Sequence, residues 1–435
     1  MIFVITPFSI FLYILDSKSK ITIISIIVLI RYGTDGYGRP VKKAVVYTQT
    51  EHLISNKNID PDALQIINRL RDAGFTAYIV GGAVRDLIVG NKPKDFDIVT
   101  DATPSKIKRI FRNSRIIGRR FRLVHVVFGS KIFEVSTFRS NAEGSVGTDF
   151  GTIEEDVLRR DFTMNALYYD PLQQQVIDYV GGMRDIKKHV LRPVIPLDRI
   201  FVEDPVRMLR AIKYSATTHA KMPHSLRHKI RTSAGLLSQV SPSRLTEELL
   251  KIINNCSAYE IVQEALDTDL YIYLQPAATS LIYDSREYEK KYMESFKKLG
   301  ALNTVEPDAR LGKKLVYLIK DFVGTLTDWQ KETADKYSYT ELYAKTWSEC
   351  RNFVLPMNPV RKELEYAVKA SLAEFGVKPH QASQKKQKVE KNPAQKGEKS
   401  PANQNTSKKS NGTKKSKSKS KNKKSDKKEK PVQQV

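Results

Sequence analysis

Asp95 and Asp97 stand one residue apart at the end of a twenty-residue stretch, Tyr78 to Asp97 (YIVGGAVRDLIVGNKPKDFD), that also holds an apolar run, the double glycine Gly81-Gly82 and the pair Arg85-Asp86. On a strand side chains alternate, so both carboxylates point to one face while Phe96 packs into the other. Such a pair suits Mg2+, which takes one or two protein carboxylates and completes its shell with phosphate oxygens and water. Gly81 and Gly82 fall at a strand-to-helix turn, where glycine lets backbone N–H groups approach a triphosphate and the following helix start favours negative charge. Arg85 and Asp86 either bind phosphate and lock the loop or form a plain surface pair. Alone, an Asp-x-Asp is a common solvated turn and a double glycine an ordinary tight one. Within one stretch they describe a nucleotidyl-transfer site.

Further polar residues lie downstream. Glu134, between Phe133 and Val135 in the strand-like KIFEVSTFR, is either an edge residue facing water or a third carboxylate of the cluster. In Arg159 to Asn165 (RRDFTMN), arginine can fork phosphate, and Asp or Asn can accept from ribose hydroxyls. The plainer reading has Asp161 capping a helix and the arginines solvated. Asp204 in EDPVR is a natural N-cap, yet Asp204 and Arg207 lie three apart at a helix start and face the same side. Together they offer an acceptor for an exocyclic amine and a donor for a ring nitrogen, the pair that reads adenine or cytosine. The second double glycine, in Asp178 to Asp185 (DYVGGMRD), reads as a packing turn. His125 reads as a structural strand residue, and phosphoryl transfer that works by positioning and charge needs no histidine base.

The elements that must position these groups follow from local pattern. Asp60 and Pro61 read as N-cap and first residue of a helix carrying Leu64, Ile67 and Leu70, with Gly74 ending it. Phe75 to Val80 is a β-rich run turned by the double glycine into a helix that stops at Gly90. Thr103-Pro104 opens a helix through Phe111, and Gly129-Ser130 joins strands over Arg122–Phe128 and Lys131–Phe138. After about residue 185 the pattern is helical almost throughout, with starts at Asp204-Pro205 and Ser241-Pro242 and further helices near 285–298, 309–324 and 360–375. The fold class is α+β: a small mixed α/β head with a β-sheet, then an all-helical neck and body. The expected boundaries are an apolar leader over 1–58 outside the ordered core, a head over 59–185, a neck over 186–260, a body over 261–376 and a disordered Lys-rich tail over 377–435.

The 435-residue chain carries a formal charge of +25, which points to a polyanionic partner. From Val377 onward there are 19 Lys against 4 acids, a net of +15, which leaves +10 on the rest. The tail therefore adds sequence-independent, salt-sensitive affinity, and the helical body offers further basic surface. Cys256 and Cys350 form neither a disulfide framework nor a zinc pattern, which fits a cytoplasmic protein. Asp16 to Lys20 splits the apolar leader into stretches too short to span a bilayer, so any membrane association would run through a surface-lying leader.

GGAVRD, DFD, RRDFTMNA, DYVGG and EDPVRMLRA, in that order, resemble the template-independent nucleotidyltransferases that include bacterial tRNA CCA-adding enzymes and bacterial poly(A) polymerases. The resemblance covers about residues 59–260. Ile116 to Val126 (IIGRRFRLVHV) and Ser241 to Ile253 (SPSRLTEELLKII) are similar to stretches of the poly(A) polymerase branch. It implies that Asp95 and Asp97 hold two Mg2+ ions, with Asp161 and Glu134 as further catalytic carboxylates. Gly81, Gly82 and Arg85 would hold the triphosphate of ATP, Arg160 and Asn165 the sugar and phosphates, and Asp204 with Arg207 the base. RNA 3′ ends would be the partner, with no DNA, and the protein a monomer. The alternatives are CCA addition to tRNA and a non-catalytic RNA-tethering protein. Two features depart from the pattern: Ser140 to Asp156 is shorter than the flexible loop expected in this branch, and the leader has no counterpart.

Overall fold

The computed structural model describes residues 5–15, 21–34, 37, 39–118, 123–140, 150–327, 329 and 338–379. Nearly all of the Lys-rich tail, residues 119–122 of the branch-like stretch and 141–149 of the short loop lie outside these described residues.

The head is a ten-stranded sheet. Its strands are β1 (Ile5–Leu15), β2 (Ile21–Thr34), β3 (Pro40–Tyr47), β4 (Ala77–Val80), β5 (Asp97–Thr100), β6 (Ser114–Ile117), β7 (Leu123–Phe128), β8 (Lys131–Thr137), β9 (Leu167–Asp170) and β10 (Gln175–Asp178). They lie in the order β1-β2-β3-β10-β9-β4-β5-β8-β7-β6. Only β5 and β8 run parallel, with Ile98 opposite Val135. Four helices of six or more residues lie between the strands, α1 (Pro61–Asp72), α2 (Gly82–Ile88), α3 (Pro104–Ile110) and α4 (Ile153–Leu158), and α5 (Gly182–Lys187) follows β10. The rest is helical: α6 (Val206–Thr218), α7 (His224–Ser233), α8 (Pro242–Ile253), α9 (Ala258–Asp267), α10 (Pro276–Asp284), α11 (Arg286–Val305), α12 (Leu311–Val323), α13 (Tyr339–Phe353) and α14 (Arg361–Glu374).

Local chemistry accounts for the elements nearest the site. Asp60 caps α1 by accepting from the Asp62 N–H at 2.9 Å, Pro61 opens it, and Ala63, Ile66, Ile67 and Leu70 form its buried stripe. Gly90, at φ +78°, ends the segment that α2 begins. The central strand β4 is buried on both faces, which accounts for its unbroken apolar run. One face, with Ile79, Ile98, Val124, Phe133 and Val135, joins the main core. The other, with Tyr78, Val80, Val99, Phe138, Val157, Tyr168 and Ile177, forms a second, smaller cluster. The main core runs on into the neck and body without a break, from Ile54 to Val377.

Order begins before Ile59, contrary to the reading that sets residues 1–58 aside. β1 pairs with β2, β2 with β3, and β3 with β10, where Val46 stands opposite Ile177. Ala44 and Val46 are buried there. The partner strand lies beyond residue 174, so nothing local marks β3 as part of the sheet. A second difference is one of extent: β5 begins at Asp97, and Asp95 and Phe96 precede it outside the strand, although Phe96 is buried and its two neighbours are exposed as alternation requires.

Candidate active site

The antiparallel pairing of β4 and β5 sets Val80 opposite Asp97, so the chain turning out of β4 passes directly over that carboxylate. Gly81 makes the turn at φ +71°, and a Cβ there would stand 3.7 Å from Asp97 Oδ2. Both the left-handed backbone and the close approach call for glycine. A Cβ on Gly82 would meet Arg85 Nη2 at 3.5 Å. The double glycine and the Asp95/Asp97 pair are therefore one construction, joined through two hydrogen-bonded strands.

On the other side of β5, the Ile98–Val135 pairing puts Glu134 beside Asp97 on the same face of the sheet. Glu134 is 56% exposed and 3.5 Å from His125 Nε2 on β7. Among the described residues no three His, Cys, Asp or Glu side chains converge closely enough to cage a metal, so the carboxylates present a pair, Asp95 and Asp97, with Glu134 alongside. Asp97 reaches water, yet protein surrounds it on several sides. Burial and the neighbouring Glu134 and Asp95 carboxylates push its carboxyl up to about 6, against the pull of Arg160 and Arg210. Carboxylates that repel one another in this way are a donor set short of positive charge, which fits a hard divalent cation.

Three arginine anchors stand around this floor. Arg85 donates to Asp86 Oδ1 (3.0 and 2.8 Å) and to Asn165 Oδ1 (2.7 Å), so it makes the local ion pair and also crosses to the RRDFTMN segment. Its guanidinium lies over the Tyr214 ring at 5.4 Å. Arg160 donates to Asp156 Oδ2 (2.8 and 3.1 Å) and to the Tyr168 hydroxyl (2.9 Å). Asp161 is buried; it accepts from the Phe162 N–H at 2.7 Å and pairs with Arg210 of α6 at 2.8 Å. Burial works against the Arg210 charge, and Asp161 and Tyr214 more than offset it, so the guanidinium stays protonated. Of the groups expected around the nucleotide, the structure thus gathers Gly81, Gly82, Asp95, Asp97 and Glu134 at one floor, and links Arg85 to Asn165.

Each member of the expected base-reading pair is engaged by partners of its own. Asp204 accepts from the Val206 N–H at the start of α6 (3.2 Å) and from Arg244 of α8 through both oxygens (3.0 Å each). Arg207 donates to Glu203 (2.9 Å), to the Ile200 carbonyl (3.1 Å) and to the Arg159 carbonyl (3.5 Å). The last contact ties the neck to the head. The double glycine at 181–182 is the packing turn its pattern suggests: the Asp178 carboxylate accepts from the N–H groups of Val180, Gly181, Gly182 and Met183 at 2.7–3.0 Å. A Cβ on Gly182 would collide with the Thr163 carbonyl oxygen.

Two residues at the centre of these networks were not singled out from the sequence. Asp156 is fully buried and accepts from Arg159, Arg160, the Tyr168 hydroxyl (2.7 Å) and the Arg139 N–H (3.3 Å). Burial alone would raise its carboxyl; Arg160 and Arg159 outweigh that and hold it at about 2. Its spacing of three and four from the arginines is the helical signal that could have found it. Arg210 lies one turn beyond Arg207 on α6, and the same spacing argument applies.

Residues 77–192 match the family described as the Poly A polymerase head domain, and 221–282 match the probable RNA and SrmB-binding site of polymerase A. Poly(A) polymerase I of Salmonella typhimurium is 43% identical over 250 residues, 54% of this chain and 54% of the relative. A CCA-adding enzyme of Lactobacillus helveticus is 35% identical over 214 residues, 48% of this chain and 53% of the relative. The chain spans about half the length of the curated relatives it matches. The solved Thermotoga maritima CCA-adding enzyme complexed with tRNA has 21% identity and a TM-score of 0.50, covering 76% of this chain and 85% of that one, a likeness of fold alone.

Proposed function

We propose that this chain, whose head and RNA-binding regions are those of the poly(A) polymerase family, is a template-independent polymerase that adds AMP from ATP to RNA 3′ ends. The observation that carries this is the Gly81-Gly82 turn laid against Asp97, so close that a Cβ added to Gly81 would stand 3.7 Å from the carboxylate. A triphosphate entering over the glycines would have its α-phosphorus beside the Asp95/Asp97 pair. In the reaction the RNA 3′ oxygen bonds to the α-phosphorus of ATP as the bond to the bridging oxygen of pyrophosphate breaks, and the hydroxyl proton passes to solvent.

Asp95 and Asp97 would hold Mg2+, which when bound supplies charge neutralisation at the triphosphate and a lowered pKa for the attacking hydroxyl. The chain's own residues position the reactants. The two glycines admit the phosphates at close range, and Arg160 and Arg210 lie within electrostatic reach of Asp97, where they offset phosphate charge. Arg85 and Asn165 form one hydrogen-bonded unit beside the nucleotide path. Asp161 acts by holding Arg210. Asp204 and Arg207 read the base, each oriented by its own partner, Arg244 and Glu203.

The test is purified protein with Mg2+ and labelled RNA, either a generic 3′ end or a tRNA lacking CCA, given each NTP separately. A long ladder with ATP alone is the expected product. Addition of only C and A to the tRNA would replace the reading with CCA addition. Extension by Asp97→Ala at the parent rate would remove Asp97 from the catalytic assignment, and no extension by the parent with any NTP would leave an RNA-tethering protein.

A further inference from the structure

Outside both matched regions, α13 carries Tyr339, Tyr343, Trp347 and Arg351 at intervals of four, one line along a helix face. The core-facing line beside it is Leu342, Thr346 and Cys350, so the aromatic line lies at the edge of the core and its rings are half-buried. Tyr339 and Tyr343 stack with centroids 6.1 Å apart and planes 15° from parallel. Lys369 of α14 lies over Tyr343 at 5.4 Å, and Arg361 and Arg351 lie over Trp347 at 5.2 and 5.5 Å. All three cations are exposed. The carboxylate among them is Glu365, which accepts from Arg361 at 2.8 Å. A helix step of four residues advances about 6 Å, comparable to the backbone repeat of an extended single strand.

We propose that this ladder is a stacking track for single-stranded RNA, with unpaired bases against the rings and phosphates against Arg351, Arg361 and Lys369. Aromatic faces interleaved with cations are the pattern by which proteins hold unpaired nucleic acid irrespective of sequence. A core edge needing only cover would be met by aliphatic side chains, whereas here exposed cations cap the rings. The net of +10 outside the tail favours a polyanion over an acidic-faced or apolar protein partner. The track's place in the reaction, gripping the RNA being extended, rests on the polymerase reading above; its affinity for RNA does not.

The experiment therefore measures binding without turnover, in full-length Asp97→Ala protein with fluorescent oligoadenylate. Trp347→Leu and Tyr343→Leu, which keep apolar cover, should each weaken oligoadenylate binding by roughly tenfold, with hairpin duplex RNA little affected. Arg351→Gln with Arg361→Gln should make the logarithmic salt dependence shallower by about 0.7 per cation removed. Trp347 fluorescence in a Trp329→Phe background should be quenched on saturation with oligoadenylate, a readout that needs no ladder variant to fold. Parent-like affinity in the folded leucine variants, or saturation without quenching, would overturn the track. Loss of oligoadenylate binding in a protein that proves not to polymerise would retain it and fault only the reading it rests on.

Discussion

Replacing Asp156 with asparagine removes one charge and keeps the shape, and its consequences can be worked from the geometry. In the folded protein the carboxyl sits at about 2, against 3.8 without its neighbours. That difference of about two units, at roughly 1.4 kcal/mol each, corresponds to about 2–3 kcal/mol of stability at pH 7. Leaving Arg159 and Arg160 without their shared partner acts in the same direction. Because the folded value is depressed, the contribution is complete above about pH 4 and is lost as pH falls from there toward 2. Urea denaturation should place Asp156→Asn about 2–3 kcal/mol below the parent at pH 7, with the gap narrowing near pH 3. The variant should also show a raised KM for ATP, since Arg160 loses the contact that aims it, with kcat less affected. An equal midpoint at pH 7, or a gap that does not change with pH, would refute the buried ion cluster as the source of stability.

Asp97 carries the opposite sign. Its carboxyl is pushed up to about 6, so in the absence of metal the protein should gain stability as pH falls from about 6 toward 3.8, and Asp97→Asn should be more heat-stable than the parent at pH 7 while losing polymerisation. Melting curves that stay parallel for the two proteins from pH 7 to pH 5 would contradict the crowding of carboxylates. Gly182→Ala must displace the Thr163 carbonyl and should cost about 1–3 kcal/mol, whereas Gly235→Ala, whose Cβ would find its nearest neighbour at 3.8 Å, should cost little. Thermal denaturation of the two variants side by side tests this, and equal midpoints would count against it. Arg210→Ala leaves the buried Asp161 without its partner and, with the Arg210 side chain 39% exposed, should cost roughly 1–3 kcal/mol, while Arg210→Lys should recover part of the stability but less of the activity. A lysine variant with full activity would argue that Arg210 contributes charge alone.

The parts of this protein legible in its sequence are those governed by neighbours in the chain. The cap at Asp60, the turn at Gly81, the hairpin at Gly129 and the exposed-buried-exposed alternation of Asp95, Phe96 and Asp97 each follow from a few adjacent residues. The helices near 285–298, 309–324 and 360–375 announce themselves through apolar period, although α11 extends to Val305. The contacts that defeat local reading join distant residues. Arg244 reaches Asp204 across 40 positions, and β3 meets a strand beyond residue 174. Nor does RRDFTMN reveal that Arg160 and Asp161 face different partners, one the buried Asp156 and the other Arg210 of α6. Acidic and basic side chains look interchangeable along a chain until folding decides which of them meet.

The apolar cluster that runs unbroken from Ile54 to Val377 has a practical corollary for anyone wishing to cut this protein into parts. A fragment ending near residue 185 would strip Phe162 of Tyr214, whose ring stands 5.8 Å from its own. It would also leave Asp161 without Arg210. Such a fragment should precipitate or need its missing half supplied in trans. The sheet and the helices that follow it are thus inherited together, and an insertion or a fusion point is better sought at the polar turns between helices than at the border where the sheet gives way to them.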